Sequence, residues 1–222
     1  RKYESFKEAL ANVVNGDVIT LVADCGENVT IQQKVGVSFT VDGAGKTYNG
    51  TITVKGDGTT NGNNTETLTF KNINFVVKAG VYAITAEKGT HARNITVDGC
   101  TFNGTNTSYG IRVRNGWNYT VKNTTVDGLR SFFNASENLS GLTVENVTVT
   151  NANSAFNAAY GFGNATFKNV NINVADNGIW IENHNAFNLT LEDCSIAAAK
   201  PIQVEEYGKF TNSITLNGTN NL

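Results

Sequence analysis

The sequence predicts an all-β protein: a right-handed single-stranded parallel β-helix, a solenoid of about eight coils closed by an N-terminal helix. Three observations predict it. A five-residue strand motif returns at near-constant spacing, its charged position alternates in sign from copy to copy, and the chain opens on an amphipathic segment. Composition agrees: 40% of the 222 residues are hydrophobic but only 16% are charged, and Gly 22 with Pro 1 favours strands joined by tight turns.

The opening segment, residues 1–16, reads as a capping helix. Ser5 with Glu8 forms a capping-box pattern, Tyr3, Phe6, Leu10 and Val13 share one helical face, and Asn15-Gly16 ends it. A solenoid's open end exposes core and unpaired strand edges, so an amphipathic plug is the expected remedy. Residues 17–67 read as irregular first coils, begun by Asp17 to Leu21, with Thr59 to Thr65 thrown out as a loop. Residues 68–222 then form regular coils, and residues 1–222 make one domain.

The motif is apolar, Thr, apolar, charged, then Asn, Gly or Asp. It stands at Phe39–Gly43, Leu68–Asn72, Ile95–Gly99, Tyr119–Asn123, Leu142–Asn146, Ala165–Asn169 and Leu189–Asp193, and closes at Ile214–Gly218, where Asn217 fills the charged place. From residue 68 the steps are 27, 24, 23, 23, 24 and 25 residues. Alternation turns the two apolar positions inward and the Thr outward. The fifth position holds residues that tolerate a left-handed backbone, so a bend is expected there. A second strand follows, with Ile73, Cys100, Thr124, Val147, Val170 and Cys194 inside. A third apolar run precedes each next copy, as in Gly110-Ile111-Arg112-Val113 and Gly178-Ile179-Trp180-Ile181. The charged row reads Asp42, Lys71, Asp98, Lys122, Glu145, Lys168, Glu192. If coils stack about 4.8 Å apart in register, each charge sits between opposite ones.

With these residues in view, residues 17–222 resemble the right-handed parallel β-helix superfamily of pectate lyases, polygalacturonases, phage tailspikes and bacterial surface adhesins. The opening Ser5-Phe6-Lys7-Glu8-Ala9-Leu10, followed by Gly16-Asp17-Val18-Ile19-Thr20-Leu21, is similar to the start of many bacterial extracellular members. The resemblance implies secretion or surface display and contact with polysaccharide. No catalytic motif of a named enzyme family matches; the Gly-His-Gly of polygalacturonases is absent.

Composition narrows the partners. A net charge of −2 gives no reason to bind nucleic acid, and no apolar run approaches the roughly 20 residues of a membrane span. Cys100 and Cys194 share one inward position four coils apart, about 19 Å, beyond the roughly 7 Å reach of a disulfide. With Cys25 they read as free thiols acting as small apolar fillers, compatible with a bacterial exported protein. The last motif copy has no capping pattern after it, so either a truncated C-terminus or a longer natural chain is expected.

Two functions compete for the outer face of the third strand. There the alternation puts Thr85, Arg112, Phe133, Asn157, Trp180 and Gln203 in one outward row, and Glu87, Arg114, Ala135, Ala159, Glu182 and Glu205 in the next. Arg112, Phe133, Asn157, Trp180 and Gln203 form the candidate ligand strip: aromatic faces suit sugar rings and amides suit hydroxyls, with Trp117, Tyr160 and Tyr207 bordering. Glu182 and Glu205, with His184 beside them, are the catalytic candidates of a polysaccharide lyase or glycoside hydrolase. The same two carboxylates are the candidates for a bound Ca²⁺; otherwise no cofactor is implied. His91 is read as a lone turn histidine. The leading expectation is a non-catalytic extracellular adhesion or glycan-binding module. The enzyme, and a purely structural stalk of a larger surface protein, are the alternatives.

Overall fold

The computed structural model describes residues 1–56, 66–87, 94–114, 116–137 and 139–222; the Thr59–Thr65 stretch, His91 and the side chain of Trp117 lie outside that description. Among the described residues there are one helix and nineteen strands, all in one continuous parallel arrangement. The first coil holds β1 (Val18–Thr20) and β2 (Val29–Gln32); the second holds β3 (Phe39–Asp42), β4 (Thr47–Tyr48) and β5 (Ile52–Lys55). In the third are β6 (Thr67–Lys71), β7 (Asn74–Val76) and β8 (Tyr82–Ala86), and in the fourth β9 (Asn94–Asp98), β10 (Thr101–Asn103) and β11 (Tyr109–Val113). The fifth is β12 (Gly116–Asp127) with β13 (Ser131–Ala135); β14 (Leu139–Ala158) and β15 (Asn164–Asn183) each run through a whole coil. The eighth is β16 (Asn188–Glu192), β17 (Ser195–Ala197) and β18 (Lys200–Glu206), and β19 (Ser213–Asn217) opens a ninth.

Register follows the motif. Thr40, Thr69, Thr96, Thr120, Thr143, Thr166, Thr190 and Thr215 pair coil by coil, and so do the alternating charges from Asp42 to Glu192. Lys122 Nζ lies 3.5 Å from an Asp98 carboxylate oxygen and Lys168 Nζ 2.9 Å from one of Glu192. These ends reach into solvent, where water screens the attraction, so the ladder specifies register more than it stabilises. The early coils are more regular than their spacing predicts. Val18 pairs with Thr40 and Thr20 with Asp42, so β1 already lies on the same column.

The bend after the first strand is left-handed as expected. Asn72, Asn123, Asn146, Asn169 and Asp193 have φ between 51° and 54°, and Gly99 and Gly218 have φ 63° and 66°. Their side chains form a second ladder: Asn169 Nδ2 donates to Asn146 Oδ1 (2.7 Å), Asn146 to Asn123 (3.2 Å) and Asn123 to Asp98 (2.8 Å). Coil two differs, because there the left-handed residues are Ala44 and Gly45. Gly43 is needed for room instead, as a Cβ there would stand 2.6 Å from the Asn72 carbonyl oxygen.

All the inward positions expected for the second strand are buried, Cys100 and Cys194 included. Thr124, the polar member of that column, donates its hydroxyl to the Lys122 carbonyl at 2.8 Å, which meets the need of a buried donor. Aromatic rings thread the core from Phe6 through Tyr48, Phe75, Phe102, Phe132 and Phe156 to Phe167, with successive centroids 4.6–5.9 Å apart. Burial pushes the Cys100 thiol up to about 12, so it is a filler and not a nucleophile.

The cap is shorter than the sequence suggests. Helix α1 spans Phe6–Ala11 and ends at Asn12, whose side-chain Nδ2 donates to the Glu8 carbonyl at 2.9 Å. Ser5 Oγ accepts from the Glu8 N–H at 3.0 Å, but the Glu8 carboxylate accepts from the Glu4 N–H, so the box is closed one residue early. Glu27 of the first coil completes the cap: its two carboxylate oxygens accept the Phe6 and Lys7 N–H groups at 2.7 and 3.1 Å. A carboxylate on exposed helix N–H groups is favourable both as hydrogen bonds and against the helix dipole. At the other end Ile214 and Leu216, on the inward columns of β19, remain 45% and 54% exposed.

Candidate functional site

The third strands, stacked from β5 to β18, build one long outer face. Its first outward row reads Thr53, Thr85, Arg112, Asn134, Asn157, Trp180 and Gln203. Phe133 does not belong to it. Phe133 pairs with Ile111 and Phe156 and is fully buried, and Asn134 takes the outward place. The reason lies one residue back: Phe132 is buried as well, in space left by Gly110 and Ala155 on the neighbouring coils. Two successive phenylalanines thus point inward at a bend, and simple alternation misassigns the second. The same shift moves Ala135 into the core and leaves Ser136 between Arg114 and Ala159 in the next row.

Arg112, Asn157, Trp180 and Gln203 are brought together as expected, all half-buried. Asn157 Nδ2 donates to Asn134 Oδ1 (3.1 Å) and to Ser131 Oγ (3.0 Å), and Ser131 donates to Asn134 Oδ1 (3.0 Å). The other half of each amide, Asn134 Nδ2 and Asn157 Oδ1, is buried and finds no hydrogen-bond partner among the described residues, and the same holds for Asn177 Oδ1 on the next coil. Asn134, Asn177 and Ser131 were missed by sequence reading. Their signal was there: Asn134 and Asn157 are neighbours one coil apart, once the tandem Phe is counted as one inward step too many.

The two ends of the face differ in charge. At one, the Arg112 guanidinium lies 5.5 Å from the Tyr82 ring centre, and Tyr82 stacks on Tyr109 at 4.6 Å. Burial raises the Tyr82 hydroxyl above its ordinary value while the Arg112 charge pulls it back. At the other, Glu182 and Glu205 are register partners on adjacent coils, and His184 is sandwiched between Tyr207 (4.5 Å) and Tyr160 (4.8 Å). The carboxylates raise the Tyr207 hydroxyl, Glu182 first and Glu205 second.

This acidic end is occupied by its own neighbours. Glu182 faces His184 Nε2 at 3.4 Å; Glu205 accepts from Gln203 Nε2 at 2.9 Å and from the Tyr207 hydroxyl at 3.4 Å. Among the described residues no group of three His, Cys, Asp or Glu side chains could hold a metal ion. A Ca²⁺ takes 6–8 oxygen ligands, of which Glu182 and Glu205, the residues expected to hold it, would supply only part. Among the described residues no helix is long and apolar enough to cross a membrane.

Fold and face together define a class: a parallel β-solenoid that presents a flat, ordered, polar strip along its length. The family model described as the right-handed beta helix region matches residues 52–221, most of the chain, and the chain belongs to that family. No curated protein and no solved structure matches it.

Proposed function

We propose that the protein is a non-catalytic module, secreted or displayed on a bacterial cell surface, that binds glycan on the third-strand face. The observation that carries this reading is the in-register row Arg112, Asn134, Asn157, Trp180, Gln203, which sets a guanidinium, three amides and one indole along a single line. An indole face suits the C–H face of a sugar ring, and amides match hydroxyls as donors and acceptors. Catalysis is the weaker reading, because Glu182 and Glu205 are engaged with His184, Gln203 and Tyr207. The test is incubation with a panel of acidic and neutral polysaccharides, with and without Ca²⁺, scoring retention and chain length together. Retention without shortening, reduced about tenfold or more by Trp180→Ala, is the expected result. Shortened chains would establish an enzyme instead, and indifference to every polymer would leave the structural stalk.

A further inference from the structure

We infer that this strip takes an oligosaccharide lengthwise, along the solenoid axis, with a single acidic group held at Arg112 and an uncharged ring against Trp180. The inference rests on the glycan-binding reading above and adds the ligand's orientation and charge class.

Orientation follows from register. The row supplies one side chain per coil from Arg112 to Gln203, so a ligand that touches all of them runs parallel to the axis, over about 19 Å at the usual strand spacing. A ligand lying across the coils would meet one residue of the row and leave it. Asn134, Asn157 and Gln203 set amide side chains along the same line, and a hydroxyl, which gives and takes, suits an amide better than a group with acceptors alone.

Charge class follows from the two ends. Arg112 has the Tyr82 ring beside it and, among the described residues, no carboxylate within ion-pair distance. A half-buried guanidinium without an anion is a site for a carboxylate or sulfate, which it grips in a bidentate way. Three coils on, Glu182 and Glu205 stand one above the other beside Trp180 and Gln203. A second anion there would face two like charges in a half-buried setting, so the strip admits acid at one end and rejects it at the other.

The experiment is an array of linear oligosaccharides that carry no acidic sugar, one terminal acidic sugar, or an acidic sugar at every residue. The wild-type protein should be retained best by the class with one terminal acid, on the order of tenfold over the other two. Arg112→Gln should erase the advantage over neutral chains, and the double change Glu182→Gln with Glu205→Gln should admit the fully acidic ones. The second variant gains binding, so a folding defect cannot imitate it. Equal retention of all three classes, or a best response to neutral or fully acidic chains, would overturn the charge assignment while leaving glycan binding intact. Retention by nothing on the array would remove the glycan reading itself, and this inference with it.

Discussion

Tyr119 carries a hydroxyl that the core does nothing to hold. The side chain is fully buried against Phe133, and its oxygen has no hydrogen-bond partner among the described residues. Tyr119→Phe removes an unsatisfied polar atom without opening a cavity, so stability should rise by about 1 kcal/mol in urea unfolding; a fall would reveal a partner for the oxygen. Buried acids of this kind also set the alkaline limit. Burial lifts the Cys100 thiol from 9.0 to about 12 and the Tyr48 and Tyr119 hydroxyls higher still. Their native forms are neutral, while in the unfolded chain the thiol ionises near its ordinary value. The stabilisation is therefore complete below about pH 9 and is lost as pH climbs towards 12. Urea midpoints should drop between about pH 9 and about pH 12, with a shallower drop in Cys100→Ala. An identical drop in that variant would shift the cause to the tyrosines.

Among the elements, α1 is held by the coil it covers. Six residues cannot make a stable helix alone, and its last turn has no basic residue to offset the dipole. Glu27 supplies what the helix lacks, and Phe6 anchors it edge-on to Tyr48 at 5.9 Å. Glu27→Ala should cost about 1–2 kcal/mol and speed hydrogen exchange at the Phe6 and Lys7 amides, with Val144 in mid-solenoid unaffected. Unchanged exchange at Phe6 would mean that packing alone seats the cap. Ser5, Glu8 and Phe6 made the helix legible in sequence, whereas Glu27 is a long-range partner that no local pattern shows. The first strand of each coil was legible for a related reason: alternation and a left-handed corner residue come together in every copy from Leu68 on. The corner before the third strand is marked in only some coils, by the left-handed Gly80, Gly128 and Asn151. At Leu129-Arg130-Ser131-Phe132-Phe133-Asn134 the alternation after Gly128 does not say which residues face outward, and the packing of Phe132 beside Gly110 decides it. So alternation marks the strip but places Phe133 where Asn134 stands.

Across the whole molecule, stability should grade along the axis. Phe156 touches rings from Phe132, Phe133 and Phe167 and is fully buried, whereas Leu216, on the inward face of the last strand, is 54% exposed. Phe156→Ala should cost about 3–5 kcal/mol and Leu216→Ala under about 1, as measured by thermal or urea unfolding. Comparable losses would mean that a second surface covers the C-terminal coil in solution. Amide protection should rank the same way, lowest in β19 and highest in β14 and β15, because each coil is held chiefly by its two neighbours.

The alternating ladder carries a parity rule. Excise the winding that bears Glu145 and Lys122 would rest on Lys168; excise the windings of both Glu145 and Lys168 and Lys122 would rest on Glu192, opposite in sign once more. Length can therefore change by even steps with the column's electrostatics preserved, while an odd step sets two like charges against each other at the seam. Duplications or deletions engineered into this scaffold should be tolerated in twos.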